Sequence, residues 1–177
     1  MEYLKIPGVL LVILAGAGLG ACPIHKMKQR TKELEELYFC LLRLKSEIGH
    51  GMKPLPEAIR SAVECRQDRF EGTYRRMLRK LAKQMETGRE AYEVLLSKCT
   101  DEEHKNGMIT KEERDSFVET FLLLGGGDKE KQTEMILYYA ENVREAIGQE
   151  KQRRKEKSYL YRSLGILGGI FLSVLLC

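Results

Sequence analysis

The sequence contains no tryptophan, only four prolines and only three histidines in 177 residues. The scarcity of proline and of β-branched runs favours helices over strands. The histidines, at positions 25, 50 and 104, are scattered, and no order of serine, histidine and aspartate resembles a catalytic triad. The triple glycine at 125–127 lacks the spacing of a phosphate-binding loop and is better explained as a turn between helices. We therefore predict no catalytic, cofactor-binding or metal-binding residue, and a protein that is not an enzyme.

The cysteines exclude two further classes of protein. Their number, five, is odd, and no Cys-x-x-Cys pair occurs, so neither a disulfide framework nor a zinc site is expected. Cys40, Cys65 and Cys99 fall inside helical patterns, where a buried reduced thiol is the simplest interpretation. Such thiols suit a reducing compartment.

Charged residues make up 32% of the sequence but are absent from two segments near its ends. The 30 basic and 26 acidic residues give a net charge of +4, too small to indicate nucleic-acid binding. Residues 6–22 and 163–177 carry no charge, whereas the middle of the chain is heavily charged. At 1.5 Å per residue, residues 6–22 would extend about 25 Å as a helix, at the short end of the transmembrane range.

The N-terminal apolar segment has two interpretations. It could be a signal peptide, because the sequence before Cys22 resembles a lipoprotein cleavage box and would place the protein outside the membrane. A retained transmembrane helix is favoured, because the N-terminal flank has only Lys5, offset by Glu2, while the other flank is basic. By the positive-inside rule that basic flank stays in the cytoplasm. It consists of Lys26, Lys28, Arg30 and Lys32.

The C-terminal apolar segment repeats this arrangement in reverse. Tyr159 and Tyr161 precede it, at the depth where aromatic rings favour a membrane interface. The basic residues on its inner flank are Lys151, Arg153, Arg154, Lys155 and Lys157. They predict membrane topology and contact with anionic lipids; no aromatic residues interleave with them, so nucleic acid is not expected as a partner. The alternative is a C-terminal helix buried against the bundle. The segment has no polar face, which argues against this alternative.

The sequence therefore predicts an all-α protein with three parts. Residues 1–25 form an N-terminal transmembrane helix, residues 26–157 a cytoplasmic bundle of about six helices, and residues 158–177 a C-terminal transmembrane helix. Gly165 and Gly169 form a G-x-x-x-G pair of the kind that mates transmembrane helices, so self-association is an open alternative.

Helix signals divide the middle of the chain. A first helix over 26–48 is followed by one starting at Pro56, and a third ends at Gly88. A short fourth helix precedes a polar loop over 100–107. The capping box Thr110-Lys-Glu-Glu113 starts the fifth helix. The last begins after Asp128, a good N-cap, and continues into the second span.

Three groups of residues resemble one protein family. The first is Leu44-Lys45-Ser46-Glu47-Ile48 with Gly51 and Pro54-Leu55-Pro56-Glu57-Ala58. The second is Leu124-Gly125-Gly126-Gly127-Asp128 with Gln132, and the third is the C-terminal segment from Ser163 to Gly169. Their order and spacing resemble the stage III sporulation protein AB family over essentially the whole chain.

This resemblance implies a role in endospore formation. Members are membrane platform subunits of a secretion or channel complex between mother cell and forespore, built with other proteins of the same operon. The helical domain is similar to the F domain of the type II secretion inner-membrane platform protein. The resemblance therefore implies a partner ATPase of the secretion class, membrane lipids as further partners, and a location in the mother-cell membrane around the forespore.

The family motifs supply the candidate partner interface. Its residues are Glu47, Pro54, Leu55, Pro56, Glu57, Asp128 and Gln132. For the prolines and Asp128, turn geometry and capping explain the residue type well enough. Glu47 and Gln132 have no local structural explanation, so structural and interface roles are weighed equally there. The alternative function, from the lipoprotein interpretation, is an extracytoplasmic helical interaction domain.

Overall fold

The computed structural model describes the backbone of residues 5–50, 53–64, 71–88, 90–106, 109–126 and 128–176. Side chains are described for residues 25–160 within these ranges, and for Ser163 and Leu167. Gly51, Cys65, Phe70, Gly107 and Gly127, which the sequence singles out, lie outside the described residues.

These ranges contain six helices and no strand, which confirms the all-α prediction. The helices are α1 (Lys5–His50), α2 (Leu55–Glu64), α3 (Thr73–Thr87), α4 (Tyr92–Lys105), α5 (Lys111–Leu124) and α6 (Lys129–Leu176). No helix in the described part of the chain is both long enough and apolar enough to cross a membrane. The two membrane spans stay predictions.

Several helix ends follow the signals in the sequence. Gly88 ends α3 with a left-handed backbone (φ 61°), and its N–H donates to the Met85 carbonyl at 3.2 Å. The capping box before α5 forms in both directions: the Glu113 N–H donates to the Thr110 hydroxyl at 3.2 Å, and the Thr110 N–H donates to the Glu113 carboxylate at 2.9 Å. Local chemistry fixes these boundaries.

The predicted loop over 100–107 is wrong, because α4 continues to Lys105. Thr100 is fully buried, and its hydroxyl donates to the Leu96 carbonyl at 2.9 Å. A hydroxyl that bonds within its own helix needs no water, so this polar residue does not end the helix.

The acidic residues that follow Thr100 find partners on neighbouring helices. Asp101 accepts from Arg114 of α5 at 2.5 Å, and Glu102 pairs with Lys80 of α3. Because these partners lie on α3 and α5, the polar stretch over 101–105, which resembles a loop in the sequence, continues α4 for about one and a half turns.

The chain groups into two units. The first combines the start of α1, up to Thr31, with the end of α6, from Ile147. The second, Lys32–Ala146, contains the rest of α1 and α6 and the four helices between them. The predicted boundaries at residues 25 and 157 stay predictions.

An aromatic cluster lies in the core of the second unit, formed by Tyr74, Phe117, Phe121 and Tyr139. The Phe117 and Phe121 rings stack with centroids 4.2 Å apart. Tyr74 of α3 and Tyr139 of α6 approach Phe117 with centroids 6.2 and 6.4 Å away, the latter edge-on. Each such pair adds about 0.5–1.5 kcal/mol beyond the burial of its area, so the cluster joins α3, α5 and α6.

Aliphatic side chains extend this core. They include Leu37, Leu41, Ile59, Leu81, Leu96, Ile136 and Ala140, all almost completely buried. Cys40 and Cys99 are buried thiols, as predicted. Burial raises the pKa of the Cys99 thiol, which keeps it protonated and unreactive at neutral pH.

The start of α4 packs against the end of α5. The Tyr92 O–H donates to the Phe121 carbonyl at 2.6 Å, and burial raises the pKa of this phenol. A Cβ added at Gly125 would lie 2.8 Å from Cδ1 of the Tyr92 ring. Glycine is needed here because of this close approach.

We therefore expect Gly125→Ala to destabilise the full chain by about 1–3 kcal/mol, the usual cost of overpacking. In a Tyr92→Ala background the obstacle is gone, and the same substitution should be neutral or slightly stabilising. Chemical denaturation of the four proteins in this double-mutant cycle gives the coupling. An equal cost in both backgrounds would show that Tyr92 is not the reason for Gly125.

Candidate partner interface at one end of the second unit

Glu47 lies one turn before the end of α1 and is tied into place. Its carboxylate accepts from Lys53 at 3.0 Å and pairs with Arg43 at 3.1 Å, leaving 12% of the side chain exposed. Lys53 also donates to the Ser61 hydroxyl of α2 at 3.3 Å. The hydrogen bond from Lys53, together with the charges of Lys53 and Arg43, lowers the pKa of Glu47. This carboxylate thus links α1 to the start of α2.

The proline motif forms the entry to α2. Pro54 is exposed, and its carbonyl accepts the Ala58 N–H at 3.0 Å. Leu55, Pro56 and Glu57 are half-buried in the first turn. A proline in the first turn loses no hydrogen bond, and an acid there meets the positive end of the helix dipole. Turn geometry accounts for these residues, and Pro54 gives the motif an exposed tip.

Asp128 and Gln132 organise the connection from α5 to α6. The Asp128 carbonyl accepts the Gln132 N–H at 2.9 Å, which puts exposed Asp128 at the N-cap position of α6. The side-chain amide of Gln132 donates to the Leu124 carbonyl at 2.7 Å. Leu124 is the last residue of α5, so this bond satisfies a carbonyl that the helix leaves without a partner.

The two motif groups meet at the same end of the second unit. The ideal Cβ position of Gly49, near the end of α1, lies 3.7 Å from Cγ2 of Thr133, in the first turns of α6. We call this end, with Glu47, Lys53 to Glu57, Asp128 and Gln132, the motif end. Gly49 and Thr133 carry no pattern that would have paired them in the sequence.

The residues of the motif end fall into two groups, those bonded within the chain and those exposed to solvent. Glu47 and Gln132 are held by partners inside the chain, which supplies the structural explanation that the sequence lacked. Pro54 and Asp128 face solvent. The described residues contain no group of three or more His, Cys, Asp or Glu side chains that could hold a metal ion. The polar side chains of Glu47 and Gln132 therefore fix the local structure, and Pro54 and Asp128 form part of the exposed surface.

The basic residues predicted to flank a membrane are mostly exposed. Those facing solvent are Lys26, Lys28, Lys32, Lys151, Arg153, Lys155 and Lys157, while Arg30 and Arg154 are half-buried. Large apolar side chains are exposed beyond the second basic run: 74% of Tyr159 and 63% of Leu167. Exposed charge is therefore followed along α6 by exposed apolar surface.

The lowered pKa of Glu47 predicts a pH-dependent contribution to stability. A carboxylate whose pKa is lower in the folded state stabilises the protein above its unfolded pKa and loses that effect as the pH falls through the folded value. Glu47→Gln should therefore lower the thermal unfolding midpoint of the full chain at neutral pH and have a diminishing effect in acid. Glu64→Gln, at the exposed end of α2, is the control. A pH-independent effect of Glu47→Gln would contradict the ionic role.

The chain was also compared with known proteins. A comparison with curated proteins and one with solved structures gave no match. The family model described as stage III sporulation protein AB matches residues 5–177. Since this match covers all but the first four residues, it confirms the resemblance carried by the motifs: the protein belongs to the stage III sporulation protein AB family.

Proposed function

We propose that this protein is a non-enzymatic membrane platform subunit of a sporulation-specific secretion or channel complex between mother cell and forespore. Its helical bundle faces the cytoplasm and engages a secretion-type ATPase, and its two ends are held in the mother-cell membrane. The observation that carries the proposal is the family match over residues 5–177, which assigns the chain to sporulation.

The charge pattern supports attachment to a membrane at both ends. The uncharged segments 6–22 and 163–177 are each bordered, on the side of the bundle, by basic residues that are largely exposed. Each cationic side chain near an anionic surface adds about 1 kcal/mol of attraction. Tyr159, 74% exposed, fits the aromatic layer found where a helix enters the lipid.

The motif end supports a binding role. Glu47 ties α1 to the start of α2, and Gln132 ties α6 to α5; next to these bonds, Pro54 and Asp128 are exposed to solvent. A surface held in advance loses little conformational entropy on binding. We assign contact with the ATPase to this end because both family motifs of the bundle converge there.

Topology separates this function from the lipoprotein alternative. A reporter active only outside the cytoplasm, inserted in the full chain after Gly107, should be silent, because both basic flanks hold the bundle inside. The same reporter behind a cleaved signal peptide is the control for activity. The intact mass of the extracted protein should include residues 1–21 and no lipid on Cys22. Reporter activity, or a lipidated Cys22 at the N-terminus, would replace the platform proposal with the alternative.

Engagement of the ATPase is tested through Asp128. Asparagine caps a helix as well as aspartate does, so Asp128→Asn removes the charge and keeps α6 intact. We expect this variant of the full chain to bind the ATPase encoded in the same operon about tenfold more weakly, the loss of roughly one charged contact. Glu64→Gln removes an exposed carboxylate elsewhere and should bind normally. Unchanged binding by Asp128→Asn would remove Asp128 from the interface.

A further inference from the structure

An apolar recess opens on the surface formed by α5 and α6. Its volume is about 470 Å³, and its lining consists of Leu122, Leu123, Gly126, Lys131, Glu134 and Met135. Half of the Leu123 side chain is exposed, and 65% of Tyr138 is exposed one turn along α6 from Met135. We call this surface the leucine patch. It consists of the apolar residues Leu122, Leu123, Met135 and Tyr138 and of two charged residues, Lys131 and Glu134.

The packing of the core forces these leucines outward. Phe121 and Leu124 are almost completely buried, so Leu122 and Leu123, which lie between them on α5, point to the other side of the helix. On α6, Lys131, Met135 and Tyr138 follow one another at intervals of four and three, so they share a face. A contiguous apolar area of this kind on a protein surface commonly marks an interaction site.

Two opposite charges border the recess. Several exposed ions of the second unit are paired within the chain, as Lys98 with Glu90 at 2.7 Å and Arg60 with Glu86 at 2.7 Å. Among the described ion pairs, none includes Lys131 or Glu134. One cation and one anion therefore border the same recess, each available to a partner of opposite charge.

We propose that the leucine patch binds a second copy of this chain through a two-fold symmetric interface. A two-fold axis brings the same patch from both molecules together, so Lys131 of each copy faces Glu134 of the other. The patch also carries a recess and, one turn along α6 from Met135, the largely exposed Tyr138, a side chain that can enter the recess of the other copy. A partner bearing charge of a single sign would leave Lys131 or Glu134 unpaired in the interface. This self-association goes beyond the platform function and holds or fails independently of it.

Charge reversal gives a test specific to this symmetry. The full chain, in detergent where extraction requires it, should form dimers by native mass spectrometry and sedimentation. Lys131→Glu places like charges opposite each other twice, and so does Glu134→Lys, so each should weaken the dimer at least about tenfold. Lys131→Glu mixed with Glu134→Lys should form heterodimers, because both contacts then join opposite charges again, one with its native sign and one with reversed sign. The double variant carrying both substitutions should dimerise with itself for the same reason.

Two controls separate the patch from other effects. Leu123→Ser should abolish the dimer and leave the helix content by circular dichroism unchanged, because Leu123 is half-exposed in the single copy. Lys83→Glu, an exposed charge on α3, should leave the dimer unchanged. A wild-type chain that stays monomeric up to its solubility limit would overturn the proposal. So would a dimer that survives Leu123→Ser and both single charge reversals, or single variants that stay monomeric when mixed.

Discussion

The burial of Phe117 is the constraint on which the second unit depends. Its ring is completely buried, stacks on Phe121 one turn further along α5, and is approached by Tyr74 from α3 and Tyr139 from α6. Removing such a ring typically costs about 3–5 kcal/mol, a large share of the 5–15 kcal/mol by which a domain is stable. Once Phe117 and Phe121 are fixed inward, the rotation of α5 about its axis is settled. Every other side chain of α5 then has a determined direction.

That rotation has consequences at both ends of the connection from α5 to α6. It aims the Phe121 carbonyl at the Tyr92 hydroxyl, and it brings the Tyr92 ring so close to position 125 that only glycine fits. The helix then stops, and Gln132 donates to the carbonyl of Leu124 from the far side of the turn. Gly125 and Gln132 of the family motif thus have a physical explanation in these contacts. The exposed leucines of the leucine patch are the remaining consequence of the same rotation.

Features set by neighbours along the chain could be predicted from the sequence, and features set by distant partners could not. The capping box of α5 and the glycine end of α3 depend on residues within one or two turns. The last turn of α4 was missed because its stabilising partners, Lys80 and Arg114, lie on α3 and α5. Glu47 was ambiguous for the same reason: Lys53 lies six residues away across a helix end, where no periodicity indicates a contact. At the motif end the residue types were predictable and their meeting was not, since it depends on Gly49 lying against Thr133.

This division explains why the family is recognised by many weak motifs and by none that is chemically specific. A catalytic site requires particular functional groups at a few positions, whereas a binding platform requires a surface of particular shape. The shape of a surface is maintained by helix caps, tight turns and hydrogen-bonded carboxylates. In the sequence these features appear as short motifs of common residue types, spread over the chain. Glu47 and Gln132 illustrate the point, because each acts on the surface through a hydrogen bond to another part of the chain. A substitution at either position would therefore change how Pro54 and Asp128 are presented without removing a group that touches a partner. For the proposed contact with the ATPase, binding measurements on such variants test the positioning of Pro54 and Asp128, and measurements on Asp128→Asn test the role of its charge.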